Sequence, residues 1–262
     1  MNVMGYIAAL FIGISLGLIG GGGSILTVPV LVYLFGVSPI LATSYSLFVV
    51  GSTSLIGSLN NWRKGLVDFK TAFLFGLSSV TTVFITRKLI IPNIPEAIRI
   101  GNSNLHFSIL TMVLFALLML IASISMIRSK AVNEHLAQNG KHFFTLVLYG
   151  ICIGLVTGFL GAGGGFLLIP ALVLLLHLPM KKAIGTSLFI IALNSLAGFI
   201  GDTGHFDTNW LLLLTISIIA IAGVFIGGLL SKSVDSCRLK KAFGWFVLAM
   251  GIYIIIREIW LQ

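Results

Sequence analysis

The chain has 262 residues, of which 58% are hydrophobic and only 9% are charged, and its formal net charge is +9. Soluble domains carry about 25% charged residues, so this composition excludes a water-soluble globule and predicts a polytopic membrane protein. The basic residues lie in short clusters between apolar stretches, as in cytoplasmic loops, which argues against nucleic-acid binding. Cys152 lies in an apolar stretch and Cys237 in a basic loop, a placement that indicates neither a disulfide framework nor a metal site.

Eight apolar stretches follow one another along the chain, and apolar runs of about 20 residues are long enough to span a bilayer. In chain order they cover residues 3–35, 37–59, 70–91, 105–127, 143–176, 183–200, 208–230 and 243–256. One long polar connection divides them into two sets of four. We therefore expect a first membrane repeat over residues 1–127, a cytoplasmic linker over 128–142 and a second membrane repeat over 143–262.

Two glycine-rich motifs occupy equivalent places in the two halves. "LIGGGGSILTVP" spans residues 18–29, and "FLGAGGGFLLIP" spans residues 159–170. When Gly20 is placed on Gly161, the halves align without a gap from Ile12 to Gly57. We call this offset between the halves the repeat register. It predicts an internal duplication, from which transporter folds are commonly built.

The first stretch of each half, over 3–35 and 143–176, is too long for one crossing. A helix of that length reaches about 50 Å, whereas the hydrocarbon core is about 30 Å thick. If each stretch crosses once, the 16 Lys and Arg residues divide 9 to 7; if each folds back at its glycines, they divide 12 to 4. Basic residues concentrate on the cytoplasmic side. We therefore predict an all-α protein of two inverted-topology repeats, each opening with a glycine-broken helical hairpin, with both termini outside the cell. Whether these hairpins span the membrane or are re-entrant stays open.

Each glycine break predicts an anion site. We expect helices to begin near Ser24–Ile25 and near Gly165–Phe166. A helix that begins after a break presents unpaired N–H groups and the positive end of its dipole. The predicted backbone cradle consists of Gly22, Gly23, Ser24 and Ile25 in the first half and Gly163, Gly164, Gly165 and Phe166 in the second. The predicted side-chain donors around it are Ser46, Thr53, Ser187 and Asn194.

Two other interpretations of the glycines compete with the anion site. Glycines permit close helix packing in membranes, and one motif alone favours that reading. A nucleotide-binding loop is not supported, because both motifs lack a Gly-Lys-Ser/Thr ending. The dinucleotide pattern fails as well, since Ile25 and Phe166 occupy its last glycine position.

The acidic residues do not indicate a proton relay. All seven lie in or beside the predicted loops, whereas a proton-coupled transporter keeps a titratable group at membrane depth. Asp202, His205 and Asp207 form a group that could bind a metal, but a solvated outer loop is favoured.

We expect transport to be driven by the anion's own gradient and the membrane potential, or by a proton carried on the substrate. No nucleophile–base pair supports an enzyme.

The paired "GLIGGGGSILTVP" and "GFLGAGGGFLLIP" motifs, each followed by a Ser-Leu-Phe segment, resemble those of the TauE/SafE family of membrane transporters, the sulfite exporters. The resemblance covers essentially the whole chain, although Ser24 stands where the second motif has Gly165, and Gly21 stands opposite Ala162. It implies transport of small sulfur-containing or organic anions. We expect a secondary transporter of the cell membrane that uses no cofactor. Its expected cargo is a small anion such as sulfite, an organosulfonate or another sulfur-containing organic anion. An anion channel of the same architecture is the alternative, and a homodimer is left open.

Overall fold

A computed structural model describes residues 3–94, 97–100, 103–128, 143–174, 176, 178–204, 208–230 and 236–260. Within these ranges the α-helices are α1 (Val3–Ile19), α2 (Thr27–Tyr33), α3 (Pro39–Arg63), α4 (Phe69–Ile85), α5 (Phe107–Arg128), α6 (Phe143–Leu160), α7 (Gly165–Leu174), α8 (Met180–Asp202), α9 (Trp210–Leu230) and α10 (Ser236–Trp260). The predicted helical architecture is thus confirmed, apart from one short antiparallel pair of strands, β1 (Ala97–Ile100) and β2 (Ser103–His106).

Several helices are suited to a bilayer. Four in the described part of the chain are long and apolar enough to cross a membrane, namely Pro39–Arg63, Phe69–Asn93, Met180–Asp202 and Trp210–Leu230. The second of these contains α4, a π-helical turn at Thr86–Ile90 and a 3₁₀ turn at Ile91–Asn93. Large apolar side chains such as Leu211 (81% exposed) and Phe73 (70% exposed) point away from the protein, which suits a lipid solvent and not water. The chain is a multi-pass membrane protein.

The helices of the two halves pack reciprocally. Helix α1 packs against α9 and α6 against α4, while α3 packs against α8 and α5 against α10. A Cβ built on Gly13 of α1 would overlap the backbone of Ala220, and one built on Gly154 of α6 would overlap the backbone of Ser79. The repeat register relates these two contacts, with the partners exchanged. A two-fold relation between the halves would produce this exchange of partners.

Both long stretches break at their glycines. Helix α1 ends at Ile19, and Gly20 then adopts φ 78° and ψ −131°, a region that residues with a Cβ scarcely enter. Helix α6 ends at Leu160, and Gly161 has φ 66°. At each break the glycine N–H donates to a carbonyl four residues earlier at 2.9 Å. We call Gly20–Gly23 the first break and Gly161–Gly165, up to and including the first residue of α7, the second break.

The chain after the first break returns toward its starting point. A 3₁₀ helix at Gly21–Leu26 follows, and α2 starts only at Thr27, later than the helix start near Ser24–Ile25 that the sequence predicts. Consecutive glycines disfavour an α-helix, which accounts for the delay. Phe35, just beyond α2, packs edge-on against Tyr6 of α1 with ring centroids 5.5 Å apart. The end of this segment therefore lies next to its beginning.

Candidate functional site at the glycine breaks

The two breaks meet in space. A Cβ built on Gly21 would overlap the backbone of Gly165, and one built on Gly165 would overlap the backbone of Gly21. The same Cβ on Gly21 would lie 2.6 Å from Ile191 Cδ1. Only residues without a side chain permit this approach. The contact leaves no room for an ion between Gly21 and Gly165.

The first break packs against the helix that precedes it. A Cβ on Gly23 would lie 2.7 Å from the backbone nitrogen of Leu16, so Gly23 packs against α1. Ser24 is fully buried, and its hydroxyl donates to the carbonyl of Gly21 at 2.7 Å. Ile25 is also buried, and Gly22 is described only as part of the 3₁₀ helix. At Gly23 the contacts match the packing interpretation.

The second break borders two hydroxyls. Gly163 has φ 65°, and its Cβ position is 2.9 Å from Ser195 Oγ. The Cβ position of Gly164 overlaps Thr157 Oγ1. Both hydroxyls are buried and have no hydrogen-bond partner among the described residues. Phe166 belongs to α7, but its side chain lies outside what the structure describes. The second break therefore offers donors that the described part of the protein does not use.

The four predicted side-chain donors are all fully buried. Thr53 donates to the carbonyl four residues earlier at 2.6 Å, and Ser187 to the carbonyl three residues earlier at 2.9 Å. The Asn194 amide donates to Ser79 Oγ at 2.6 Å, while its carbonyl oxygen has no partner in the described part of the chain. The Ser46 hydroxyl likewise has none there. Their role as ligands of an anion stays a prediction.

The structure adds an ion pair that the sequence analysis missed. Arg87 Nη1 lies 3.0 Å from Asp202 Oδ2, and both residues are buried, at 1% and 3% exposure. The same nitrogen donates to Thr43 Oγ1 at 3.0 Å. Thr43 and Arg87 both lie within contact distance of the Cβ position of Gly161. The pair therefore borders the second break.

The placement of Asp202 in a solvated outer loop is wrong. Asp202 is the last residue of α8 and is covered by the turn that carries Arg87. Its expected neighbours His205 and Asp207 lie outside the described residues. One signal was present in the sequence, because Arg87 falls inside the apolar stretch predicted over residues 70–91. An ionisable residue within a membrane segment is a functional candidate by default.

Comparisons with known proteins point to one family of membrane transporters. The family model Sulfite exporter TauE/SafE matches residues 6–254. A "Probable membrane transporter protein" of Xylella fastidiosa (strain 9a5c) is 30% identical over 253 residues, covering 94% of this chain and 92% of its own length. "Probable membrane transporter protein YunE" of Bacillus subtilis is 29% identical, covering 97% of this chain and 96% of its own. No solved structure matches.

The family match spans almost the whole chain and includes both glycine breaks and the Arg87–Asp202 pair. The similar relatives are themselves matched over nearly their full length and are named as transporters. The chain therefore belongs to the TauE/SafE sulfite exporter family and is a membrane transporter.

Proposed function

We propose that this protein is a secondary transporter that exports a small anion, such as sulfite, an organosulfonate or another sulfur-containing organic anion. The anion binds near the bilayer midplane, beside the contact of Gly21 with Gly165. That contact carries the proposal, because two glycine breaks from different halves meet there without a side chain between them. Backbone N–H groups at such breaks, with the buried hydroxyls of Thr157 and Ser195, are suitable donors to an oxyanion.

The proposed architecture is a pair of inverted repeats. Residues 1–127 form the first and 143–262 the second, joined by a cytoplasmic linker over 128–142. The contact of Phe35 with Tyr6 and the reciprocal packing of the helices support helical hairpins in a duplicated chain. Both termini lie outside the cell, in agreement with the 12-to-4 division of basic residues. A homodimer is not required by this mechanism.

Alternating access follows from the same contact. While Gly21 touches Gly165, the path between the two breaks is closed. Rocking of one repeat against the other separates the breaks and exposes the anion to one side at a time. An anion channel of the same architecture would instead need an open path, and the relatives are named as transporters.

Flux measurements in proteoliposomes test this function. Vesicles loaded with sulfite or methanesulfonate should show saturable efflux that is accelerated by the same anion on the opposite side, which a channel does not show. Ser195→Ala should lower this flux several-fold, because it removes an unused donor at Gly163. Ser123→Ala is the matched control, since its buried hydroxyl already donates to its own helix at 2.7 Å. Absence of saturable flux of any small anion would overturn the proposal.

A further inference from the structure

Arg87 retains unused hydrogen-bonding capacity although it is buried. Its side chain is 0% exposed, and its hydrogen bonds to described residues, Thr43 and Asp202, both come from Nη1. Nε and Nη2 have no hydrogen-bond partner in the part of the chain that the structure describes. Burying N–H groups of a charged side chain without partners is strongly unfavourable. A ligand that accepts from them would remove this penalty.

The two free nitrogens form one edge of the guanidinium group. The group is planar, and its Nε–H and Nη2–H bonds point in parallel directions. Two parallel donors match two oxygens of one carboxylate, sulfonate or sulfite group, which they bind bidentately. A halide offers a single acceptor and cannot align with both bonds. Asp202 and Thr43 fix the plane of the guanidinium through Nη1, which makes them positioning residues.

This edge lies at the second break. Arg87 Nη2 is 2.7 Å from the Cβ position of Gly161, so the absent side chain of that glycine makes room for the guanidinium. At the base of the side chain, Arg87 Cβ is 3.1 Å from the Cβ position of Gly201. Each end of the Arg87 side chain thus packs against a glycine. Nη2 therefore lies beside the turn whose Gly163 and Gly164 face the unused hydroxyls of Ser195 and Thr157.

The other half of the protein provides an internal comparison. In the repeat register, Arg87, Asp202 and Thr43 correspond to Gly228, Asn61 and Ile184. The first break accordingly meets an apolar group, because the Cβ position of Gly20 is 2.9 Å from Ile184 Cγ2. A glycine break of this kind therefore packs without an arginine. Since packing does not require the buried charge, the charge points to a ligand.

We propose that the Nε–Nη2 edge of Arg87 binds the oxyanion group of the substrate. This inference rests on the proposed anion transport and names the ligand class and the residue that selects it. Asp202 already balances the charge of Arg87, so a singly charged oxyanion is favoured over a doubly charged one, which would leave more excess charge buried. The preferred ligand is a monovalent anion with two oxygens on one atom, such as a sulfonate, hydrogensulfite or a carboxylate.

Calorimetric titration of the purified protein tests the inference. The probes are sulfite, methanesulfonate, acetate and chloride, and the wild type should bind at least one of the oxyanions at least tenfold more tightly than chloride. Arg87→Lys keeps the positive charge near Asp202 but removes the parallel edge, and it should weaken oxyanion binding by at least about tenfold. Lys88→Gln is the matched control, because it removes an adjacent but exposed charge and should change affinity less than twofold.

Each result decides between defined alternatives. Unchanged oxyanion affinity in Arg87→Lys, with flux intact, rejects the role of Arg87 and leaves the proposed function standing. Equal binding of chloride and the oxyanions by the wild type also rejects it, and this measurement needs no variant to fold. If Arg87→Lys does not fold, the double variant Arg87→Gln/Asp202→Asn replaces it, because this variant removes both charges together. If the double variant binds the oxyanion with wild-type affinity, the proposed role of Arg87 is rejected. If the wild type neither binds nor transports any probe, the proposed function fails as well.

Discussion

The backbone N–H of Asp68 donates to Thr186 Oγ1 at 2.9 Å, across 118 residues of sequence. The equivalent bond runs from the N–H of Asn209 to the hydroxyl of Tyr45 at 2.6 Å. In the repeat register Asn209 corresponds to Asp68 and Tyr45 to Thr186, so the donor now lies in the second half and the acceptor in the first. Asp68 and Asn209 also accept a backbone N–H at the starts of α4 and α9, as N-cap residues do. The start of each of these helices is therefore held by the opposite half.

Cysteine labelling tests the topology that this reciprocity supports. In a background with Cys152→Ser and Cys237→Ser, Lys64→Cys should react with an impermeant reagent only from the cytoplasmic side. Thr203→Cys should react only from outside. Both positions are exposed. If each long apolar stretch instead crossed the membrane once, the two cysteines would react from the same side, and the inverted-repeat proposal would have to be abandoned.

Gly21→Ala should lower thermal stability and abolish flux. The added Cβ collides with the backbone of Gly165, and such overpacking costs about 1–3 kcal/mol. Gly76→Ala is the matched control, because the nearest atom to its Cβ position, Ile190 Cγ1, is 3.9 Å away. Since alanine favours a helix by about 1 kcal/mol over glycine, this control should melt no lower than the wild type. Unchanged melting and flux in Gly21→Ala would contradict the close contact.

Asp202→Asn should destabilise the protein by about 3–5 kcal/mol, because it leaves the Arg87 guanidinium buried without a counter-charge. Melting in detergent, followed by intrinsic fluorescence, measures the effect. Asp68→Asn makes the same chemical change at a helix N-cap, where asparagine serves nearly as well as aspartate. Its melting temperature should stay close to that of the wild type. Equal shifts of the melting temperature in the two variants would show that the buried ion pair stabilises the protein no more than the N-cap carboxylate does.

Transport of a singly charged anion should follow the membrane potential and persist without sodium. A potential of 100 mV is worth about 2.3 kcal/mol per charge, which is roughly a fifty-fold difference in anion concentration at equilibrium. Flux into and out of liposomes at imposed potassium diffusion potentials measures this dependence. Asp68→Asn should leave the voltage response in place. A strict sodium requirement would mean that a coupling ion binds at a separate site, whereas flux indifferent to voltage would mean that the anion crosses together with a proton as the neutral acid.

The sequence alone determined the membrane location, the repeated motifs and the family. These properties depend on composition and on local spacing, because bilayer thickness sets the length of apolar stretches and a run of glycines interrupts a helix wherever it occurs. The reciprocal bonds of Asp68 and Asn209 follow from the same duplication, although no local sequence pattern identifies the residues that accept these bonds.

The tertiary structure alone decided which groups meet. The contact of Gly21 with Gly165 joins residues from opposite halves of the chain, and that of Arg87 with Asp202 joins residues 115 positions apart. Asp202 ends a helix, so by position it is indistinguishable from a solvated residue; only the packing of α8 against the turn after α4 removes it from solvent. Burial depends on which helix covers a residue, and helix packing is a property of the whole chain.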